Sequence, residues 1–376
     1  MKKIESGNLN IITIITSSDI GGAQIHVKDI AVALQAYGNK ITVLVGSEDP
    51  EFPEMLKELN IPCRIVNNLV RNIDPKKDFK AYKEIRQIMQ EIKPDLVTLH
   101  SSKAGILGRL AVYFEKIPST FTVHGWVFTN GENKIKQIIY RNIERIGALF
   151  PTHLIAVSHY DGKIGLQQKV CKSNNITVIQ NGMPDIKPAL MAKAENEPPK
   201  LIMIARFAKQ KDHVSLIEAL AELRELPWEL NLVGGDGGLL AQTEDKIKSL
   251  HLNDKIHILG YRSDIDELIS NSQIFVLSSN WEGLPLSIIE AMRAKLPVIA
   301  SDVGGVNELI VNDETGYLIN SKKDLVYALK TLITNSDKRQ DMGNKGRDNY
   351  DKYFNLNIQL EKTFDLYNKL LNQNKN

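Results

Sequence analysis

The chain is predicted to be an α/β protein of two doubly wound domains, each with a mostly parallel sheet covered by helices on both faces. Three observations carry that prediction. Short apolar runs rich in Val, Ile and Leu alternate with amphipathic stretches along the whole length, the pattern of βαβ units with buried strands. The alternation breaks once, over Met183–Lys200, where Pro184, Pro188, Pro198 and Pro199 sit among Glu, Lys and Asn, a composition typical of inter-domain connections. Finally, 376 residues exceed what one ordinary core organises.

Taken in order, strands are expected at Leu9–Ile15, Lys40–Val45, Cys63–Val66, Leu96–Leu99, Thr120–Val123, Leu154–Val157 and Thr177–Ile179, all short apolar runs. Helices fall between them at Ala23–Tyr37, Phe79–Glu91, Ala104–Phe114 and Ile135–Ile146. Beyond the break the alternation restarts, with strands at Leu201–Ala205, Glu229–Val233, Ile256–Leu259, Ile274–Leu277 and Pro297–Ala300. Helices are expected at Val214–Leu226, Leu239–Leu250, Asp264–Ser270, Leu286–Ala294 and Lys323–Thr334, and Ile358–Leu371 reads as a terminal helix. The domain limits follow as 1–183, a linker at 184–199, 200–352, and a final helical segment at 353–376. Doubly wound sheets bind ligands at the carboxyl ends of their strands, so two of them point to a site in the cleft between domains.

Bulk composition excludes several function classes. A net charge of +2, with 24% charged and 43% hydrophobic residues, carries no polyanion-binding signature and argues against nucleic acid as a partner. Cys63 and Cys171 have no metal-ligand spacing and read as reduced thiols of a cytoplasmic protein. Met1-Lys2-Lys3 resembles the start of an export signal, but Asp19 and Gly21-Gly22 follow the apolar run Ile11–Ile15 too closely, so that run reads as a first strand. No stretch approaches the roughly 20 apolar residues of a membrane span. Work at a membrane would proceed from its surface.

The most specific motif is Glu282–Glu290, E-G-L-P-L-S-I-I-E. Two carboxylates eight positions apart bracket a turn that opens a helix near Pro285. A helix start suits an anion such as a diphosphate, and carboxylates accept hydrogen bonds from sugar and ribose hydroxyls. Together they suggest a nucleotide sugar. Arg206 and Lys211 follow the first strand of the second half, where they could grip a diphosphate or form a solvated basic loop. Gly234-Gly235-Asp236-Gly237-Gly238 implies unusual backbone angles or close ligand approach, or a plain loop. Gly21-Gly22 opens a helix after the first strand and suits a phosphate or a tight turn; it is not the G-x-G-x-x-G fingerprint. His124 and His100 each end a strand, the first before Gly125, the second leading through Ser101, Ser102 and Lys103 into a helix. They are candidates to hydrogen-bond a ligand or an acceptor. On the helix Lys134–Arg145, Ile135, Ile138, Ile139, Ile143 and Ile146 are interleaved with Lys134, Lys136, Arg141 and Arg145, which suits either an anionic membrane surface or a packed surface helix.

On these residues the chain resembles the retaining glycosyltransferases of family four, the glycosyl transferases group 1 superfamily. The matching features run in order from D-I-G-G-A at Asp19–Ala23 through S-S-K-A-G, V-H-G, Asn181-Gly182, A-R-F-x-x-x-K, G-G-D-G and L-G-Y-R to E-G-L-P-L-S-I-I-E and Asp302–Glu308. The resemblance implies the GT-B fold: two Rossmann-like domains facing a central cleft, with the C-terminal helix crossing back to the first. It assigns Glu282 to donor-sugar hydroxyls and Glu290 to the nucleotide ribose. The backbone of Gly283, Leu284, Pro285 and Leu286 would meet sugar and diphosphate, and Arg206 and Lys211 would neutralise the leaving group. His124 would lie near the donor sugar, Gly22 close to the phosphates and acceptor, Gly235 in the donor site, and the backbone of Tyr261 and Arg262 at the base. Ala205, Asp212 and Gly238 depart from common family residues, but none removes a charged or hydroxyl-binding group.

The implied reaction moves a sugar, from a UDP-sugar in the first instance, to a saccharide or polyprenyl-linked saccharide acceptor with retention, in cell-surface polysaccharide synthesis. His100, Ser101, Ser102 and Lys103 are candidates for the acceptor side. No cofactor or metal is expected, since no His/Asp/Glu cluster with metal spacing and no D-x-D motif stands in the sequence. The expected location is cytoplasmic, possible as a peripheral protein on the inner membrane face. The alternatives are a sugar-nucleotide epimerase of the same fold, which would need further acid/base carboxylates in the first half, and a non-catalytic nucleotide-sugar-binding subunit.

Overall fold

The computed structural model describes residues 8–129, 131 and 133–373; Met1-Lys2-Lys3 lie outside them. The chain divides into two compact units. One holds the described residues up to Asn181 together with those from Asn357 onward, and the other is Gly182–Leu356.

The first unit alternates strand and helix throughout. Its elements are β1 (Asn10–Ile15), α1 (Gly22–Ala36), β2 (Lys40–Gly46), α2 (Glu51–Glu58), β3 (Cys63–Val66), α3 (Pro75–Ile92) and β4 (Leu96–His100). Then come α4 (Ser102–Glu115), β5 (Ser119–Val123), α5 (Lys134–Gly147), β6 (His153–Ala156), α6 (His159–Gln167) and β7 (Ile176–Val178). The sheet order is β3-β2-β1-β4-β5-β6-β7, with every strand pairing parallel. The order reverses beside β1, the switch point where such sheets bind ligands. All of Ile11–Ile15 is buried, which explains why β1 reads as a continuous apolar run. Local chemistry sets the helix ends: Asp74 caps α3 by accepting from the N–H groups of Lys76 and Lys77, and Pro75 follows it. Both thiols are free, and burial pushes each up to about 11.

The second unit comprises β8 (Lys200–Ile204), α7 (His213–Ala221), β9 (Glu229–Val233), α8 (Leu240–Ser249), β10 (Ile256–Gly260), α9 (Ile265–Ser270) and β11 (Ile274–Leu277). It continues with α10 (Leu286–Arg293), β12 (Val298–Ser301), β13 (Gly316–Ile319), α11 (Lys322–Thr334) and α12 (Ser336–Asn349). Its parallel sheet runs β10-β9-β8-β11-β12-β13. The final helix, α13 (Leu356–Gln373), packs with the first unit, where Phe364 meets the Tyr37 ring edge-on at 5.3 Å.

Four elements were not expected from sequence: α2, α6, α12 and β13. The cause is clearest in α12, whose mostly polar sequence buries only Arg339, Met342, Gly343 and Gly346. It packs by close backbone approach, since a Cβ on Gly343 would lie 2.0 Å from the Lys295 carbonyl, and hydrophobic periodicity does not register such a face. Conversely, α7 stops short of Leu226: Glu222 and Leu223 tighten into i→i−3 bonds ahead of Pro227.

The stretch expected to be a linker is fastened to the second unit. Arg339, fully buried, donates to the carbonyls of Ala194 at 2.6 Å and Asn196 at 3.1 Å and to Glu197 at 2.6 Å. Ala192 bonds Ala294, and Arg347 grips Asp185 at 2.6 and 2.9 Å.

The helix α5 inverts the usual amphipathic arrangement. Its buried residues are Glu144 and Gly147. Glu144 pairs with buried Arg109 at 2.5 Å, and a Cβ on Gly147 would strike that guanidinium at 2.4 Å. A polar seam therefore holds the helix and leaves Ile135, Ile138, Ile139 and Ile146 exposed, with Leu149 just beyond at 80% exposure.

Candidate functional site

In the first unit the site residues gather at the carboxyl ends of β1, β4 and β5. His100 is the last residue of β4 and His124 follows β5. His100 Nδ1 lies 3.1 Å from His124 Nε2. His26, on the second turn of α1, meets the His124 ring edge-on at 4.8 Å and the His100 ring at 5.5 Å. One ring nitrogen from each histidine lies within 4.8 Å of the others. No spacing along the sequence marks this group: the three are distant in the chain, and only the parallel sheet brings its strand ends to one edge. Burial keeps all three imidazoles neutral. It lowers His26 to about 4, partly opposed by the Asn181 bond. It takes His100 and His124 well below the ordinary histidine value, helped by mutual charge repulsion among the rings.

The loop after β1 is stapled to the start of α4. Ser101 Oγ accepts from the Thr16 N–H at 3.0 Å and donates to Thr16 Oγ1 at 2.7 Å. Ser101 holds a left-handed φ of 69°, a strained geometry that this loop imposes. Its hydroxyl thus serves the fold, while Ser102 begins α4. Lys103 is paired to Asp78 at 2.7 Å and bonded to the Asn72 carbonyl, so its charge is matched within the unit. Gly22 begins α1. The starts of α1, α4 and α10 carry neither a side-chain cap nor an acid in the first turn, which leaves backbone N–H groups and positive dipole for an anion.

In the second unit the loop at residues 206–213 is laced to the end of β11. Asp212 N–H donates to the Ser278 carbonyl at 3.0 Å and Asn280 N–H to the Gln210 carbonyl at 2.8 Å. The His213 ring stacks on Phe207 at 4.5 Å and contacts the Lys211 carbonyl at 3.1 Å. Asp212, one of the departures from the family pattern, caps α7 through Ser215. This lacing sets Lys211 Nζ against Glu282 Oε1 as an ion pair with side chains only 16% and 6% exposed. Gln210 donates to the other oxygen, Oε2, at 3.2 Å. Sequence reasoning set these two charges against different parts of one ligand; the structure joins them. Each carboxylate oxygen retains a lone pair for a ligand hydroxyl.

Gly304, in the D-V-G-G-V-N-E run, supports the Glu282 turn from behind. Its φ is +61°, and a Cβ there would lie 1.9 Å from the Glu282 carbonyl oxygen; Gly305 N–H bonds the Gly283 carbonyl at 2.9 Å. The glycine loop is similarly tied to Arg206. Gly234 has φ +155° and a Cβ there would lie 2.2 Å from the Ala205 carbonyl oxygen, whereas a Cβ on Gly235 would meet no atom within 4 Å. Arg206 is exposed. Leu284, Pro285 and Leu286 are buried at the start of α10, and Glu290 lies partly buried one turn along it. Tyr261 is 51% exposed, and Arg262 pairs with Asp264 at 2.7 Å. Sequence reasoning missed His26, Gln210 and the role of Gly304. His26 had one available signal, its position four residues after Gly22 on the same helix face.

Comparisons with known proteins identify the family and the fold. Residues 20–185 match the family model described as Glycosyltransferase Family 4, and residues 189–349 the model described as Glycosyl transferases group 1. The chain is 31% identical over 320 residues to an Escherichia coli UDP-Gal:alpha-D-GlcNAc-diphosphoundecaprenol alpha-1,3-galactosyltransferase, covering 80% of this chain and 82% of the relative. It is 26% identical over 314 residues to the putative glycosyltransferase EpsD of Bacillus subtilis, covering 79% and 81%. The crystal structure of Anabaena Alr3699/HepE in complex with UDP and glucose superposes with a TM-score of 0.83 at 20% identity, over 96% of this chain and 100% of that one, a likeness that shows a shared GT-B fold.

Proposed function

We propose that this chain, which belongs to the glycosyltransferases of family four and the group 1 type, moves a hexosyl or N-acetylhexosaminyl group from a UDP-sugar to a lipid-linked saccharide with retention of configuration. The observation that carries the reading is the Glu282–Lys211 pair at the uncapped start of α10. Glu282 is oriented by Lys211 and Gln210 and presents lone pairs to sugar hydroxyls. Arg206 and the first N–H groups of α10 offset the charge that develops on the departing diphosphate, and no metal is needed for that role. Glu290 takes the ribose hydroxyls, and Gly235, Tyr261 and Arg262 line the nucleotide. In the first unit, His124 and His100 hydrogen-bond the reacting sugars. The leaving phosphate accepts the acceptor's proton on the face it vacates, so Glu282 orients the donor without attacking it.

The E. coli relative acts on an undecaprenol-diphosphate-linked sugar, which supports a lipid-linked acceptor and a role in cell-surface polysaccharide synthesis. Among the described residues no helix is long and apolar enough to cross a membrane. The exposed isoleucines of α5, with Lys134 and Lys136 beside them, support contact with an anionic membrane surface. The test is Arg206→Ala, an exposed position. It should lower transfer about 10²- to 10³-fold, the effect of losing one charge-stabilising group, with an unchanged melting temperature. Wild-type turnover in that variant would sink the assignment.

A further inference from the structure

We propose that His26, His100 and His124 form a three-imidazole site for a borderline divalent transition metal of the zinc class. The three side chains come from α1 and from the ends of β4 and β5, and each contributes a ring nitrogen within 4.8 Å of the other two. A tetrahedral zinc with Zn–N bonds of about 2.0–2.1 Å sets its ligand nitrogens about 3.4 Å apart. The His100–His124 edge, at 3.1 Å, already has nearly that length. The edges to His26 start at or below 4.8 Å and need to close by no more than about 1.4 Å, within reach of side-chain rotation.

The shell behind the ligands is built as well. With Nδ1–H donating to Asn181 Oδ1 at 3.1 Å, His26 Nε2 is left to ligate, the outer-shell arrangement that orients metal-bound histidines; the Gln359 amide, whose nitrogen lies 3.0 Å from Nδ1, turns over in that tautomer to present its oxygen instead. The imidazoles are neutral, as ligands must be. Binding displaces the proton on the His100–His124 edge to the distal nitrogen of its own ring, so no proton is released. An all-imidazole donor set selects zinc, copper or nickel over magnesium, manganese and calcium, which prefer oxygen. Three protein ligands leave a fourth position for water or a hydroxyl.

The consequence for activity rests on the proposed function: an ion that captures His124 withdraws it from the sugar, so zinc inhibits transfer and a chelator restores it. Binding itself is tested without turnover, by calorimetric titration of zinc into the full chelator-treated chain and by the visible spectrum of cobalt(II) added in its place. Expected are one zinc per chain with micromolar or tighter affinity, tetrahedral cobalt bands, and no heat from magnesium. Asn181→Leu, which keeps all three ligands, should weaken zinc about 10- to 100-fold, and His26→Gln more than that. Absence of one-to-one binding, an octahedral cobalt spectrum, or unchanged affinity in His26→Gln would overturn the site. If zinc binds as expected but transfer continues, the metal site stands and the role given to His124 falls.

Discussion

Removing one member of the Lys211–Glu282 pair should cost far more than removing both. The two side chains are 16% and 6% exposed, so Glu282→Gln leaves an ammonium with little water around it. Breaking a buried pair from one side costs about 3–5 kcal/mol, whereas replacing both members by neutral groups of similar volume is often near neutral. Gln210 keeps a partner in Glu282→Gln and lessens the loss, so we take about 3 kcal/mol for each single variant. A unit the size of Gly182–Leu356 shifts by about 2–4 °C per kcal/mol, giving a drop of about 6–12 °C in Glu282→Gln and in Lys211→Met. The double variant should melt within about 3 °C of wild type, a coupling of several kcal/mol in a double-mutant cycle. Transfer should be lost in all three. Calorimetric melting together with a donor-turnover assay reads both quantities. Additive losses, with the double variant the least stable of the set, would refute the reasoning that this is a desolvated pair.

Three further predictions follow from local geometry. Gly235→Ala meets no protein atom within 4 Å, so its melting temperature should stay within about 1 °C while the KM for donor rises at least tenfold; unchanged KM would remove Gly235 from the donor site. The metal-free protein should lose stability in acid, because the unfolded histidines take up protons near their ordinary value of 6.5 while folded His26 resists until about 4. The contribution is fully present above about pH 6.5 and disappears as pH falls toward 4, worth about 3 kcal/mol for His26 alone; a melting temperature flat between pH 7 and 5 would contradict it. Ile135→Asp with Leu149→Asp, at positions 71% and 80% exposed, should reduce binding to anionic vesicles roughly 100-fold with the fold unaffected; equal co-sedimentation of variant and wild type would exclude α5 as a membrane surface.

Most of the sheet could be read in advance because a parallel strand buried on both faces must be apolar along its length. Ile274–Leu277, buried throughout, matches the expected residues for this reason; Cys63–Val66 and Glu229–Val233 also match, although the first is an edge strand with two exposed residues. The four-residue β13 escaped notice for the reason α12 did: what seats it is a glycine, Gly316, whose Cβ would lie 2.2 Å from the Val298 carbonyl, and a close approach of backbones leaves little trace in hydropathy. Glu282, Lys211 and His124 were recognisable because each stands just after a strand beside glycine or at a helix start, where ligand chemistry concentrates.

Sequence alone determined the family and the α/β class and named the charged and polar candidates for a site, since those depend on residue type and on spacing within single strand–helix units. Which groups meet was decided only by tertiary structure. Lys211 and Glu282 lie on neighbouring connections of one sheet and become partners through the lacing of residues 206–213 to β11. His26, His100 and His124 converge because β4, β5 and the start of α1 end on the same edge. Parallel order places residues far apart in the chain side by side, and burial at that edge then sets their charge state, a property that no spacing along the sequence encodes.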